Sequence, residues 1–220
     1  DFVSTISDKT KLISITQMSN VLGSEIPLKE IISIAHDKNI RVLVDGCQGI
    51  AHLDTDVKDL NCDYYVFSGH KLYGPTGVGV LYGKYDLLES MYPWRGGGEM
   101  IQEVFKDQVT YSKPPAKFEA GTPNIVQAVG LGAAIDYFVE KKKQGLFDYE
   151  EEIAKYFHNE INKITKVKVY GEKNIKSPMI SFIVDGSHPH DIATIIDKEG
   201  VAIRAGQHCT QPLLDFFNLS

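Results

Sequence analysis

Three short polar clusters carry the side chains best suited to chemistry: Asp45-Gly46-Cys47-Gln48, Ser68-Gly69-His70-Lys71, and the stretch from Arg204 to Gln211. A lysine amine condenses with carbonyls, and a carboxylate can hold a proton on a ring nitrogen. These are the two groups that pyridoxal phosphate (PLP) asks of a protein: a Schiff-base lysine and an acid partner for the pyridinium nitrogen. The Ser68 hydroxyl and the His70 ring beside Lys71 suit its phosphate. Taken singly, Asp45 reads as a turn or cap residue and Lys71 as a surface lysine. Placed 26 residues apart at successive strand ends, the two point to a cofactor.

Other motifs carry less. Gly74-Pro75-Thr76-Gly77-Val78-Gly79 leads into a strand, not a helix, and lacks the Lys-Ser/Thr pair of a nucleotide loop, so it reads as a tight turn that locks the lysine loop. Ser187-His188-Pro189-His190-Asp191 makes a poor closed zinc site. It reads as a helix start, with Ser187 or Asp191 near the cap, Pro189 in the entry turn, and Ile192, Ile195 and Ile196 facing inward. His36, His52 and His158 read as surface, and Cys62, just before a strand, as core. Cys209 lies in a polar loop flanked by Gly206, His208 and Pro212, where burial is less expected of a cysteine.

The elements that must position these residues alternate. Leu12 to Met18 is β-rich and alternating. Pro27 opens a helix with Leu28, Ile31, Ile32 and Ile34-Ala35 on its apolar side, ended by Asn39. Strands follow at Val42-Leu43-Val44, Tyr64 to Phe67 and Val78 to Tyr82. This βαβ spacing predicts a mostly parallel sheet covered by helices, with ligands beyond the strands' carboxyl ends. From Trp94 to Phe118 the periodicity lapses, which predicts a lid over residues 94–118 with a hinge at Gly96-Gly97-Gly98, the alternative being a plain surface hairpin. Helices are expected over Asn124 to Lys143 and Phe147 to Ile164. Strands then follow at Val167 to Tyr170 and Met179 to Val184, a helix at His190 to Glu199, and a strand at Val201 to Arg204. A boundary near the Lys-Lys-Lys-Gln-Gly tract divides residues 1–143 from a smaller α/β domain over 144–220.

The 220 residues are 43% hydrophobic, 24% charged and 10% aromatic, which excludes a disordered or collagen-like chain. A net charge of −6 offers no basic footprint for nucleic acid or an anionic membrane, and no apolar run approaches a membrane span. Three widely spaced cysteines form neither a disulfide framework nor a CxxC site, so a reducing, cytoplasmic setting is the default. The chain opens on Asp1-Phe2-Val3 and stops at Phe217-Asn218-Leu219-Ser220 inside an amphipathic pattern, and so reads as an internal piece of a longer protein. An organellar address on a missing N-terminus would be invisible. Asn218-Leu219-Ser220 fits a glycosylation sequon, but without a secretory signal it is read as ordinary surface.

Val44-Asp45-Gly46-Cys47-Gln48, Phe67-Ser68-Gly69-His70-Lys71-Leu72-Tyr73-Gly74-Pro75-Thr76-Gly77, Phe118-Glu119-Ala120-Gly121-Thr122-Pro123-Asn124 and Arg204-Ala205-Gly206-Gln207-His208-Cys209 occur in that order. Together they resemble the Suf-type (group II) cysteine desulfurases, PLP enzymes of the class V aminotransferase group, from about Ser14 to the end of the chain. The resemblance implies fold type I, the aspartate aminotransferase-like α/β fold. Residues 1–143 would be the C-terminal portion of the large PLP-binding domain and 144–220 part of the small one.

The resemblance also implies roles. Lys71 would hold PLP and shuttle the substrate Cα proton, and Asp45 would pair with the pyridinium nitrogen. Gln48 and Asn20 would contact the ring hydroxyl side, and Ser68 and His70 would bind the phosphate. Thr122 would reach the phosphate of a partner subunit in an obligate homodimer. Arg204 would bind the carboxylate of the L-cysteine substrate. Cys209 would take the sulfur as a persulfide for iron–sulfur assembly, and His208 joins it and Lys71 as catalytic. His190 would dock a sulfur acceptor of SufU or SufE type. In desulfurases that carry His-Pro-His-Asp, the second histidine can take over a zinc ligand position of a SufU-type acceptor.

The chain departs from the family at Gln207, where many members have a second histidine, and at Cys47, where a small inert residue is usual and cysteine reads as a packing substitute or as a reactive thiol near the cofactor. A ring-stacking histidine and a phosphate-binding threonine would precede Asp1, and a carboxylate-binding arginine would follow Ser220. Rival readings are a selenocysteine lyase, a plain class V aminotransferase or kynureninase-like hydrolase that needs no Cys209, and a non-catalytic partner-binding fragment.

Overall fold

The computed structural model describes residues 2–171 and 178–219, so Ser220, the last residue of the sequon, lies outside the described residues. The packing separates two units: Asp1–Gln17 with Pro27–Lys143, and Met18–Ile26 with Gln144–Ser220.

The first unit is built on a four-stranded sheet of β1 (Leu12–Thr16), β2 (Arg41–Asp45), β3 (Tyr64–Ser68) and β4 (Gly79–Gly83), in that order. β1, β2 and β3 run parallel, with Thr16 opposite Asp45 and Asp45 opposite Val66. β4 runs antiparallel to β3, Ser68 lying opposite Gly79. The expected parallel sheet thus has an antiparallel edge. The link from Ser68 to Gly79 falls short of the dozen or so residues that a parallel crossover needs, so the chain turns back on itself.

Helix α1 (Leu28–Asp37) buries Leu28, Ile31, Ile32 and Ala35, the one-face spacing of an amphipathic helix. It ends as Asn39 takes a left-handed φ of 57°. Two short helices, α2 (Gly49–His52) and α3 (Val57–Leu60), fill the β2–β3 crossover, and Asp56 caps α3 by accepting from the Lys58 and Asp59 N–H groups. Val42 and Val44 of β2 are fully buried. After β4 come α4 (Tyr85–Ser90), an antiparallel pair β5 (Ile101–Val104) and β6 (Val109–Tyr111), and the long α5 (Ile125–Lys143). The stretch expected to lack periodicity therefore contains a hairpin, closed by the Phe105 N–H donating to the Gln108 carbonyl at 2.7 Å. Its strands are too short for an alternation of apolar and polar residues to register.

The second unit has α6 (Leu146–Ile161), the antiparallel pair β7 (Val167–Tyr170) and β8 (Ser181–Val184), α7 (Pro189–Lys198) and α8 (Gln211–Phe216). The early segment 18–26 belongs here. The Ser181 hydroxyl donates to the Val21 carbonyl at 2.6 Å, and a Cβ on Gly171 would stand 2.6 Å from the Leu22 oxygen. The strand expected over Val201 to Arg204 is absent. These residues have no ladder partner among the described residues, and the Val201 N–H instead closes α7 on the Ile196 carbonyl at 3.2 Å. No helix among the described residues is long and apolar enough to cross a membrane, and no group of three metal-ligating side chains gathers there.

Candidate active site

In the first unit the candidate residues sit where neighbouring parallel strands end. Asp45 is the last residue of β2 and is exposed. Its carboxylate Oδ1 accepts the Cys47 N–H at 2.9 Å, and the Gly46 N–H donates to the Val66 carbonyl of β3 at 2.9 Å. Gln48 occupies the N-cap of α2 without its side chain capping the helix. Ser68 ends β3 and leads into a single 3₁₀ turn, Gly69–Lys71, that carries the exposed His70 and Lys71.

Backbone bonds pin that turn. The Gly69 N–H donates to the Val78 carbonyl at 2.8 Å, and the Leu72 and Gly74 N–H groups both donate to the Gly69 carbonyl. Leu72, 3% exposed, roots the turn in the core, so a flexible lysine side chain stands on a rigid base. Asn124 donates to the Gly77 carbonyl at 2.8 Å, tying the start of α5, and Thr122 two residues earlier, to the same loop. The half-buried Cys47 donates its thiol toward the Ser68 hydroxyl at 3.8 Å, a contact that links the two strand ends.

These residues fit PLP. A carboxylate with one oxygen already held, a hydroxyl, an imidazole and an amine follow the carboxyl ends of the adjacent strands β2 and β3. That donor set matches a protonated ring nitrogen, a phosphate and an aldehyde. Gly46 permits the fit at the turn: a Cβ there would stand 1.9 Å from the Tyr65 ring.

In the second unit, Arg204 and Cys209 are exposed and His208 is half-buried. Gly206, His208 and Cys209 take left-handed φ values of 126°, 53° and 61°. Histidine tolerates this region, whereas cysteine pays about 1–2 kcal/mol. Three bonds hold the strained turn: the Asn20 side-chain N–H donates to the His208 carbonyl at 2.9 Å, and the Thr210 N–H and hydroxyl both donate to the Gln207 carbonyl, at 2.9 and 3.0 Å. Asn20, the residue expected beside a cofactor hydroxyl, thus also holds the cysteine loop. Burial, and then the Arg204 charge, hold the His208 imidazole below its usual range.

His190 is exposed at the start of α7. The helix is capped by neither Ser187 nor Asp191 but by His188, whose Nδ1 accepts the His190 N–H at 3.3 Å, with Pro189 at the first helical position. An imidazole nitrogen replaces the usual oxygen acceptor, and the two rings stack 5.5 Å apart.

Sequence reasoning missed two polar groups. His36 is not a surface histidine: its Nε2 lies 2.9 Å from Asp63 Oδ2, which also accepts the Val42 N–H, while Lys84 reaches Oδ1 at 3.1 Å. The buried Gln17 and Tyr65, with the half-buried Thr55, form a second group, and the glycines on either side of Cys47-Gln48 were its only trace in the sequence.

Parallel strands ending in a lysine turn and an acidic turn define the α/β, fold type I class of PLP-dependent proteins. The aminotransferase class-V family model matches residues 1–220, and the chain belongs to that family. It is 45% identical over 214 residues to a cysteine desulfurase of Synechococcus elongatus, covering 97% of this chain and 34% of that protein. The cysteine desulfurase CsdA of Escherichia coli, solved with an S-sulfonic acid, superposes with a TM-score of 0.92 at 39% identity, over 99% of this chain and 54% of that one. The C-DES mutant with glycine covalently linked to its PLP cofactor superposes at 0.78 with 27% identity, over 92% of this chain and 55% of that one. The chain thus spans from about a third to about half of the proteins it matches.

Proposed function

We propose that the full-length protein is a PLP-dependent L-cysteine desulfurase of the Suf type, releasing L-alanine and leaving sulfur on Cys209 for iron–sulfur cluster assembly. Its setting is cytoplasmic, its working form a homodimer, and its sulfur acceptor of SufU or SufE type. Residues 1–143 form the C-terminal portion of the large domain, with 94–118 as a lid, and 144–220 part of the small domain. Segment 18–26 is the exception, since it packs with the later residues.

PLP, when bound, supplies the electron sink that makes the substrate Cα acidic. This chain's residues do the rest. Asp45 holds the proton on the ring nitrogen. Gln48 and Asn20 contact the ring hydroxyl side, and Ser68, His70 and the partner's copy of Thr122 hold the phosphate. Lys71 Nζ anchors the cofactor, removes the Cα proton and returns one to the product. Arg204 orients the substrate carboxylate. The Cys209 thiolate attacks the substrate sulfur, an S–S bond forms as the C–S bond breaks, and Cys209 becomes a persulfide. His208, held toward its neutral form by burial and then by the Arg204 charge, is the catalytic histidine next to Cys209 in the chain. His190 then meets the acceptor as an imidazole able to ligate the acceptor's zinc.

The observation that supports the desulfurase reading over a plain aminotransferase is Cys209, exposed in a left-handed turn beside His208. The test is to add PLP and L-cysteine to the full-length protein and assay sulfide and alanine. Cys209→Ala should still bind PLP but form no persulfide. Desulfuration of L-cysteine at the parent rate by that variant refutes the nucleophile, and retained activity on selenocysteine alone identifies a selenocysteine lyase.

A further inference from the structure

Beneath the Asp45 turn lies a buried polar group that the proposed reaction leaves without a task. Gln17 is 5% exposed and Tyr65 1%. The Tyr65 hydroxyl donates to Gln17 Oε1 at 2.6 Å, and Gln17 Nε2 donates to the Thr55 hydroxyl at 3.0 Å. The Gln17 backbone N–H donates to the Asp45 carbonyl at 2.9 Å. A buried amide costs free energy unless every polar atom is met, and an apolar residue would fill such a place more cheaply.

What this group touches is the turn itself. A Cβ on Gly46 would stand 1.9 Å from Tyr65 Cζ, and a Cβ on Gly49 would stand 2.1 Å from Gln17 Oε1. Gly49 opens α2, where alanine is conformationally welcome, so close approach and not backbone freedom demands glycine there. Asp45 and Gln48 ride on the turn whose two glycines rest on this pair.

We propose that Gln17 and Tyr65 are a positioning pair, bonded to each other beneath Gly46 and Gly49, that sets the level of residues 45–49 and so where Asp45 and Gln48 meet PLP. The inference rests on the reading of Asp45 and Gln48 as cofactor ligands.

The test uses the full-length protein in apo and PLP-loaded forms. It reads the PLP dissociation constant from intrinsic fluorescence, the pH midpoint of the visible absorption band, and the apo melting temperature. Gly49→Ala should raise the dissociation constant about tenfold, the scale of one overpacked methyl. In a Gln17→Ala background the same change should cost far less, because the obstructing amide is gone. Tyr65→Phe keeps the ring and deletes one oxygen. It should raise the dissociation constant about two- to tenfold, the reach of one hydrogen bond, and move the pH midpoint because Asp45 faces the ring nitrogen differently. If Gly49→Ala or Gln17→Ala does not fold, Tyr65→Phe decides. Variants that melt lower yet match the parent in affinity and pH midpoint overturn the inference and leave a structural role only. A parent that binds no PLP overturns the cofactor reading as well.

Discussion

Lys71 owes its place to backbone chemistry more than to its own side chain. The Gly69 N–H and carbonyl anchor the turn on both sides, and the amine projects from a base that does not move with it. Borohydride treatment of the PLP-loaded protein should therefore fix the cofactor on Lys71, and Lys71→Ala should abolish turnover, since anchoring and proton transfer are lost together. Peptide mapping reads this directly, and label on another lysine would refute it. His208 offers a second residue-scale outcome. Burial and the Arg204 charge both favour its neutral form, so Arg204→Ala, which removes one cause and leaves the other, should raise the His208 titration midpoint. Ring-proton NMR of the full-length protein follows it, and an unmoved midpoint would show that the two do not interact. Asp45, Lys71 and Cys209 were legible as candidates because their types are chemically distinctive, the first two at element ends and the third in a polar loop. Gln17 and Tyr65 were not. Their importance lies in what touches them, and a single sequence does not print contacts.

At the scale of elements, the foot of the sheet is held by one carboxylate. Asp63, 5% exposed, joins α1 through His36, β2 through the Val42 N–H, and the end of β4 through Lys84. Burial acts to raise this carboxyl, but the bonds from His36, Val42 and Lys84 together outweigh it and hold it below the ordinary carboxylate range. Asp63→Ala should destabilise the protein by about 3 kcal/mol, the low end for breaking a buried pair. The sign of the pH effect follows from the depressed value. The contribution is complete above the unfolded carboxyl's pKa of about 3.9 and is lost as pH falls through the folded one. Denaturant melts from neutral to acid pH should show parent and Asp63→Asn converging as acidity rises, and a gap that stays constant would refute the linkage. The elements themselves were largely legible. β1, α1, β2 and β3 follow from apolar period and cap residues because each lies against neighbours that enforce its pattern. The failures were pairings: β4's direction depends on a loop length, and residues 201–204 have strand composition but no partner strand.

For the molecule as a whole, the exposed face at the start of α5 is the feature with consequences. Ile125, Val126 and Val129 are 60%, 79% and 70% exposed, Val129 lying one helical turn beyond the adjacent Ile125 and Val126, in the helix that opens three residues after Thr122. Apolar side chains at that spacing form a stripe suited to burial against another chain. In the proposed homodimer, Thr122 from one subunit serves the phosphate bound at the other subunit's Lys71. That arrangement has a signature that no monomer can produce. A Lys71→Ala chain has no anchoring amine of its own but an intact Thr122. A Thr122→Ala chain has the amine but lends its neighbour nothing. In a mixed dimer of the two, one site combines the Lys71 of the second chain with the Thr122 of the first and is complete, while the other site lacks both. Co-expression with two different affinity tags and tandem purification would isolate the mixed species. It should regain close to half of the parent activity per dimer and bind PLP at one site at the parent affinity, although the Lys71→Ala homodimer is inactive and the Thr122→Ala homodimer binds PLP more weakly. Mixed dimers no better than the average of the two homodimers would show that Thr122 serves its own subunit or no phosphate at all. Val126→Lys gives an independent check, because a charge on a stripe that the proposed dimer would bury should shift the sedimentation profile towards monomer and lower PLP affinity in parallel.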